Sequence, residues 1–174
     1  KLRYETKKSV VTGFEPDISI PVAGNLCSRF QTLFKEGMPL SDVVIEVDGS
    51  KLPAHKVVLA AGSPVFSTMF QSRGFTESET NVIKIEDMEL PVVYEMLRFL
   101  YTDKVKQMER FAWGLLFAAE KYMIDLLKAK CQAVLAQSLT IQNCSELLAL
   151  ADSNSADELK KVAVEFILQH SGVV

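Results

Sequence analysis

This chain has few cysteines and histidines, the residues that cross-link a chain or bind zinc. There are three cysteines, Cys27, Cys131 and Cys144, and two histidines, His55 and His170. The cysteines are odd in number and form no CxxC pair, so neither a zinc site nor a disulfide framework is expected. They read instead as small buried hydrophobes of a reducing compartment. The histidines stand far apart with no HxxxH or Cys/His cluster, and neither metal nor cofactor is expected. A glycine-rich phosphate loop, a GxSxG elbow and an HExxH helix are all missing, which leaves an enzyme without its parts. An excess of one charge is lacking too. With 19 Lys and Arg against 22 Asp and Glu the net charge is -3, and the long-range field that draws a protein to a phosphate backbone is absent, so nucleic acid is not an expected partner. The longest apolar runs, such as 111–119, stop well short of the roughly 20 residues a membrane span needs.

What is present is apolar side chain in quantity. At 174 residues and 48% hydrophobic content, the chain can bury a core of one domain, with or without a short appendage. It opens Lys1-Leu2-Arg3, without an initiator Met or the layout of a signal peptide, and is expected to be a segment of a longer protein. Residues 1–22 carry Lys1, Arg3, Lys7 and Lys8, then Gly13, Pro16 and Pro21, with no sustained period, and read as linker. Leu26, Phe30, Leu33 and Phe34 then recur as one stripe of a short helix that ends at Gly37-Met38-Pro39. The β-branched run 41–47, the turn pair Asp48-Gly49 and the extended 51–54 predict a hairpin. Helical spacing follows over 55–61 and 64–71, with Ser63 placed to cap the second helix and Pro64 in its first turn. Val82-Ile83-Lys84-Ile85 predicts a third strand. Five amphipathic helices fill the rest: 90–101, 111–122, 124–137, 141–152 and 156–170, with Thr140 and Ser155 at N-cap positions. A small sheet followed by a helical layer makes an α+β protein.

Two places invite a functional reading. Asp42 and His55 could form an acid/base pair, but without a nucleophile or cleft to serve they are expected to hydrogen-bond locally and hold the hairpin against the helix start. The polar loop 72–81 contains one large aromatic, Phe75, near Glu77 and Glu79. A ring among Gly, Thr, Ser and Glu either folds back as a local anchor or projects as the centre of a protein contact.

The residues also carry a resemblance. Ser41-Asp42-Val43 through Pro53-Ala54-His55-Lys56-Val57-Val58-Leu59-Ala60-Ala61, then Ser63-Pro64-Val65-Phe66 and Met69-Phe70, closely resemble a BTB/POZ domain. Phe99-Leu100-Tyr101-Thr102 and Ala118-Ala119-Glu120-Lys121-Tyr122 strengthen the likeness. Leu148-Ala149-Leu150-Ala151-Asp152 and Ser155-Ala156-Asp157-Glu158-Leu159 are similar to the helical extension of the MATH-BTB group. The resemblance implies a BTB/POZ fold, with a small three-stranded sheet, flanking helical hairpins and a C-terminal helical pair. Residues 1–22 would be linker from an upstream domain, 23–137 the BTB/POZ domain and 138–174 a 3-box-like extension, the start of a BACK region.

By the same resemblance the protein is an intracellular, non-catalytic substrate adaptor of nucleus or cytoplasm that recruits cullin-3 to a ubiquitin ligase. Phe75-Thr76-Glu77 matches the family's hydrophobic-x-Glu motif, which assigns cullin binding to Phe75 and Glu77, although Gln71-Ser72-Arg73-Gly74 makes the preceding loop one residue longer than in that group. Leu26, Phe30 and Leu33, with Val58, match the positions of the family's homodimer interface. The substrate would be held by the upstream domain. The alternative is the dimerisation module of a transcriptional repressor that binds co-repressor peptides, and a channel-type tetramerisation domain is a further rival.

Overall fold

In the computed structural model, which describes residues 26–71 and 80–170, the β-branched run forms β1 (Val43–Val47). Val43, Ile45 and Val47 point into the core while Val44 and Glu46 are half-covered, the two-residue period of a strand with one buried face. Asp48 and Gly49 both take positive φ, 48° and 72°, the twist that a two-residue hairpin turn needs. They return β2 (Ser50–Ala54) antiparallel to β1, with Val47 opposite Ser50. On the other side of β1 runs β3 (Val82–Ile85), parallel, with Val44 opposite Val82, and the sheet order is β2-β1-β3.

A parallel neighbour requires a crossover, and its first part is α2 (Lys56–Gly62) and α3 (Pro64–Gln71). Ser63 sits between them and caps α3 as its sequence position predicts: its Oγ accepts the Phe66 N–H at 3.2 Å and donates to the Tyr122 carbonyl at 2.6 Å. One buried hydroxyl thus ties the crossover to the helical half.

That half consists of α4 (Leu90–Thr102), α5 (Met108–Lys121), α6 (Asp125–Gln137), α7 (Cys144–Ser153) and α8 (Asp157–His170). Helices α4, α5 and α6 pack in succession, and α8 packs on both α7 and α6. Two of the expected boundaries move. The fifth helix begins at Met108 rather than at residue 111, and α7 begins at Cys144 rather than at 141. Thr140 is therefore not the N-cap of α7, a place taken by Asn143; its N–H donates to Asn143 Oδ1 at 2.7 Å and its Oγ1 accepts the Asn143 N–H at 3.3 Å. This reciprocal pair holds 141–143 as a turn ahead of the helix.

Ser155 is no N-cap. It takes φ +48° and closes α7, with the Ala156 N–H reaching back to the Ala151 carbonyl at 2.8 Å. Met123, at φ +52°, closes α5 in the same way through Ile124 N–H and Ala119 O. Both are Schellman turns, whose C′ residue is left-handed by geometry. The three cysteines also divide: Cys131 is fully buried, Cys144 is half-buried and Cys27 is exposed. Cys27 lies on the outward side of the first helix, where a small thiol gains nothing from the core.

One continuous core runs from the sheet residues Ile45, Ile83 and Ile85 through Phe66, Met96 and Leu116 to Leu127, Cys131, Leu147 and Leu159. The C-terminal helices therefore share the interior of the rest.

Candidate interaction surfaces

Phe75 and Glu77, with the rest of 72–79, lie outside the described residues, as do residues 1–25, which include the linker expected over 1–22. The four positions assigned to a dimer face are all described. Helix α1 (Leu26–Lys35) carries its stripe, and the stripe divides along its length. Phe34 is buried at 5% exposure, with its ring 5.1 Å from Tyr94 and 5.6 Å from Tyr101, both on α4. Phe30 meets Tyr101 edge-on at 6.3 Å and stays half-buried, as do Leu33 and Val58. Leu26 is 65% exposed. The C-terminal end of α1 is thus an anchor on its own subunit, and the N-terminal end leaves apolar surface in solvent.

The anchor is reinforced by residues that sequence periodicity did not single out. Arg98 lies over both the Phe34 and Tyr94 rings, 5.2 Å from each centroid, and its Nε reaches Glu95 Oε1 at 3.1 Å. Glu95 is only 6% exposed, and its second oxygen accepts the Lys106 N–H at 2.8 Å. A charged pair three residues apart on a helix that is otherwise apolar was the available signal. Its two ends hold α1 and the connector 103–106 against α4.

Asp42 and His55 come close without bonding each other. Asp42 Oδ1 accepts the Lys56 N–H at 2.7 Å and so caps α2 from the start of the hairpin. His55 Nε2 lies 2.9 Å from the Pro39 carbonyl, which can only accept, so Nε2 carries the proton. Nδ1 then accepts from Tyr101 Oη at 2.8 Å, and that same oxygen accepts the His55 N–H at 2.9 Å. Burial pushes the Tyr101 hydroxyl up to about 12, with the His55 N–H opposing the shift and the Asp42 charge adding to it. The cluster is a clamp joining the loop after α1 to the start of α2 and the end of α4. The local role expected for Asp42 and His55 holds, and Tyr101 is the partner the sequence concealed.

Several large apolar side chains stand in solvent. Leu40 (94%) and Val57 (73%) flank the Pro39–His55 bond, Met123 and Leu126 crown the turn between α5 and α6, and Trp113 (42%) and Phe117 (38%) lie on the outer face of α5. Isolated exposed hydrophobes are ordinary, whereas contiguous apolar patches mark contact surfaces.

The comparisons with known proteins agree with this architecture. A sequence model of the BTB/POZ domain matches residues 30–139, from the middle of α1 to just past α6. Among solved structures, the BTB domain of zebrafish PATZ1 is similar at 28% identity and a TM-score of 0.55, over 64% of this chain and 89% of that one.

Proposed function

The chain belongs to the BTB/POZ family, and from that premise we propose that it is a non-catalytic, homodimeric adaptor that recruits cullin-3 to a ubiquitin ligase inside the cell. The observation that carries the finer reading is the C-terminal helical pair. It lies beyond the family match at residue 139, yet α8 packs against α6, and the Leu159 N–H donates to Gln132 Oε1 of α6 at 3.1 Å. A fixed helical extension supports recruitment of a large scaffold, and it is the feature in which the chain resembles the MATH-BTB group. Residues 138–174 then take the part of the 3-box.

The recruiting residues are Phe75 and Glu77. Seating the ring in a scaffold pocket would contribute on the order of 1.5 to 3 kcal/mol, and the carboxylate beside it accepts hydrogen bonds from the same partner. Dimerisation falls to the apolar surface that begins at the exposed Leu26 and continues over the half-buried Phe30 and Leu33 of α1 and Val58 of α2, and pairs two such recruiting loops across a twofold axis. The protein substrate is supplied by a domain upstream of residue 1.

The test is capture of the cullin-3 N-terminal domain by the wild-type chain and by Phe75→Ala. Loss of capture at unchanged thermal stability is the expected result. Equal capture by both, or none by either, would remove the adaptor reading and leave the dimerisation module of a transcriptional repressor in its place.

A further inference from the structure

Helix α5 is apolar on two sides. Its inner side, including Ala112, Leu115, Leu116 and Ala119, is fully buried, and its outer side still presents Trp113 and Phe117 at 42% and 38% exposure. A helix with a second apolar stripe has a second surface to cover. Beside the stripe runs a groove floored by Pro91, Val92 and Gly114 and walled by Phe111 and Phe117. Gly114 creates the floor: a Cβ there would lie 2.7 Å from Val92 Cγ2, so α5 approaches α4 closely at that point.

The charges along the groove are ordered. Asp87 is neutralised by Lys121, whose Nζ lies 2.8 Å from both carboxylate oxygens, so Glu89 carries the acidic charge of the groove at the end beside the C-terminus of α5. Arg110 occupies the other end, seven residues before Phe117 and so about 10 Å away along the axis. The face is basic at one end, aromatic in the middle and acidic at the other.

The geometry points to a second copy of this chain as the occupant of that face, docked end for end on α5. An occupant must bring an apolar centre flanked by opposite charges at the same spacing in reverse order. A twofold partner does so by symmetry, with Arg110 of each copy opposite Glu89 of the other and the Trp113–Phe117 ridges meeting near the axis. This contact is separate from α1, which packs on α4, so a chain using both faces links dimers into larger assemblies.

Trp113 is the chain's single tryptophan, and its emission reports directly on the centre of this contact. The experiment is sedimentation velocity and intrinsic fluorescence of the full chain over a wide concentration range, for wild type, Arg110→Glu, Glu89→Arg and the double reversal. Wild type is expected to show an association step accompanied by a blue shift, each single reversal to weaken that step by about tenfold or more, and the double reversal to restore it. These side chains lie at the surface, so folding is not at stake. Trp113 emission that does not change with concentration, or an association step that no reversal moves, would overturn the proposal.

Discussion

At the residue scale the clearest lesson is Tyr101. His55 invites a chemical role on sequence grounds, but its two ring nitrogens are engaged by the Pro39 carbonyl and by a hydroxyl 46 positions away. No periodicity announces a partner at that distance, whereas Asp42 as a local cap was legible because it stands beside the hairpin it serves. Tyr101→Phe keeps the ring contacts with Phe34 and Phe30 and removes only the hydroxyl, leaving the His55 N–H and Nδ1 unsatisfied. The expected cost is about 1–3 kcal/mol in equilibrium urea unfolding. The ionisable groups also set a direction with pH. Burial holds the Cys131 thiol up from 9.0 to about 12, and the Tyr101 hydroxyl rises from 10.0 to about 12. Each group keeps its proton when folded over a range in which the unfolded chain has lost it. Stability is therefore full below about pH 9 and falls as pH climbs toward 12. Burial raises the Tyr122 hydroxyl in the same direction, so the urea midpoint should drop between pH 8.5 and 11.5, and less steeply in Cys131→Ala, which lacks one of the three groups. A midpoint that rose with alkali would contradict the burial assigned to all three.

At the element scale, strands and helix interiors were legible because their periods are enforced by the core, as in the alternation of Val43, Ile45 and Val47. Helix ends were less so. Met108–Arg110 lie ahead of the apolar run that opens at Phe111, yet they form the first turn of α5, with Met108 packed on the core and Glu109 and Arg110 exposed. Ile141 and Gln142 carry helical spacing but are held as a turn by the Thr140–Asn143 pair. Ser155 is a helix-stopping residue whose composition suggested a cap. Gly114 is the position where helix propensity and packing oppose each other most directly. Alanine is the better helix former by about 1 kcal/mol, but its Cβ would meet Val92 Cγ2 at 2.7 Å, and valine is short and stiff. Gly114→Ala should therefore destabilise by a net 1–3 kcal/mol or so in thermal or urea unfolding. Adding Val92→Ala should return part of that loss, a non-additivity confined to residues in contact. Were Gly114→Ala stabilising, α4 and α5 could not approach as closely as they do.

On the scale of the whole molecule, the fold was readable from the order of its elements, and membership of the BTB/POZ family bears that reading out. The sheet order and the sharing of one core by all the described helices were not readable, because both depend on contacts between distant segments. The α1 stripe shows the limit on the site side. Periodicity placed Leu26, Phe30, Leu33 and Phe34 on one face, but it could not tell that Phe34 would be drawn inward by Tyr94, Tyr101 and Arg98 while Leu26 stayed outside. The same question of what belongs to the body decides the status of the C-terminal helices. Leu147 and Leu159 are at most 1% exposed and belong to the core cluster that includes Cys131 and Leu135 on α6. A side chain that fills a shared core transmits its loss to the whole, so Leu159→Ala should cost about 2–5 kcal/mol and shift a single cooperative transition. If α7 and α8 were an independently folding appendage, the same substitution would melt them early and leave the main transition in place. Calorimetry of wild type and Leu159→Ala separates the two cases: one peak moved to lower temperature fits a joined core, and a second peak at low temperature would break the rigid extension on which the recruitment proposal relies.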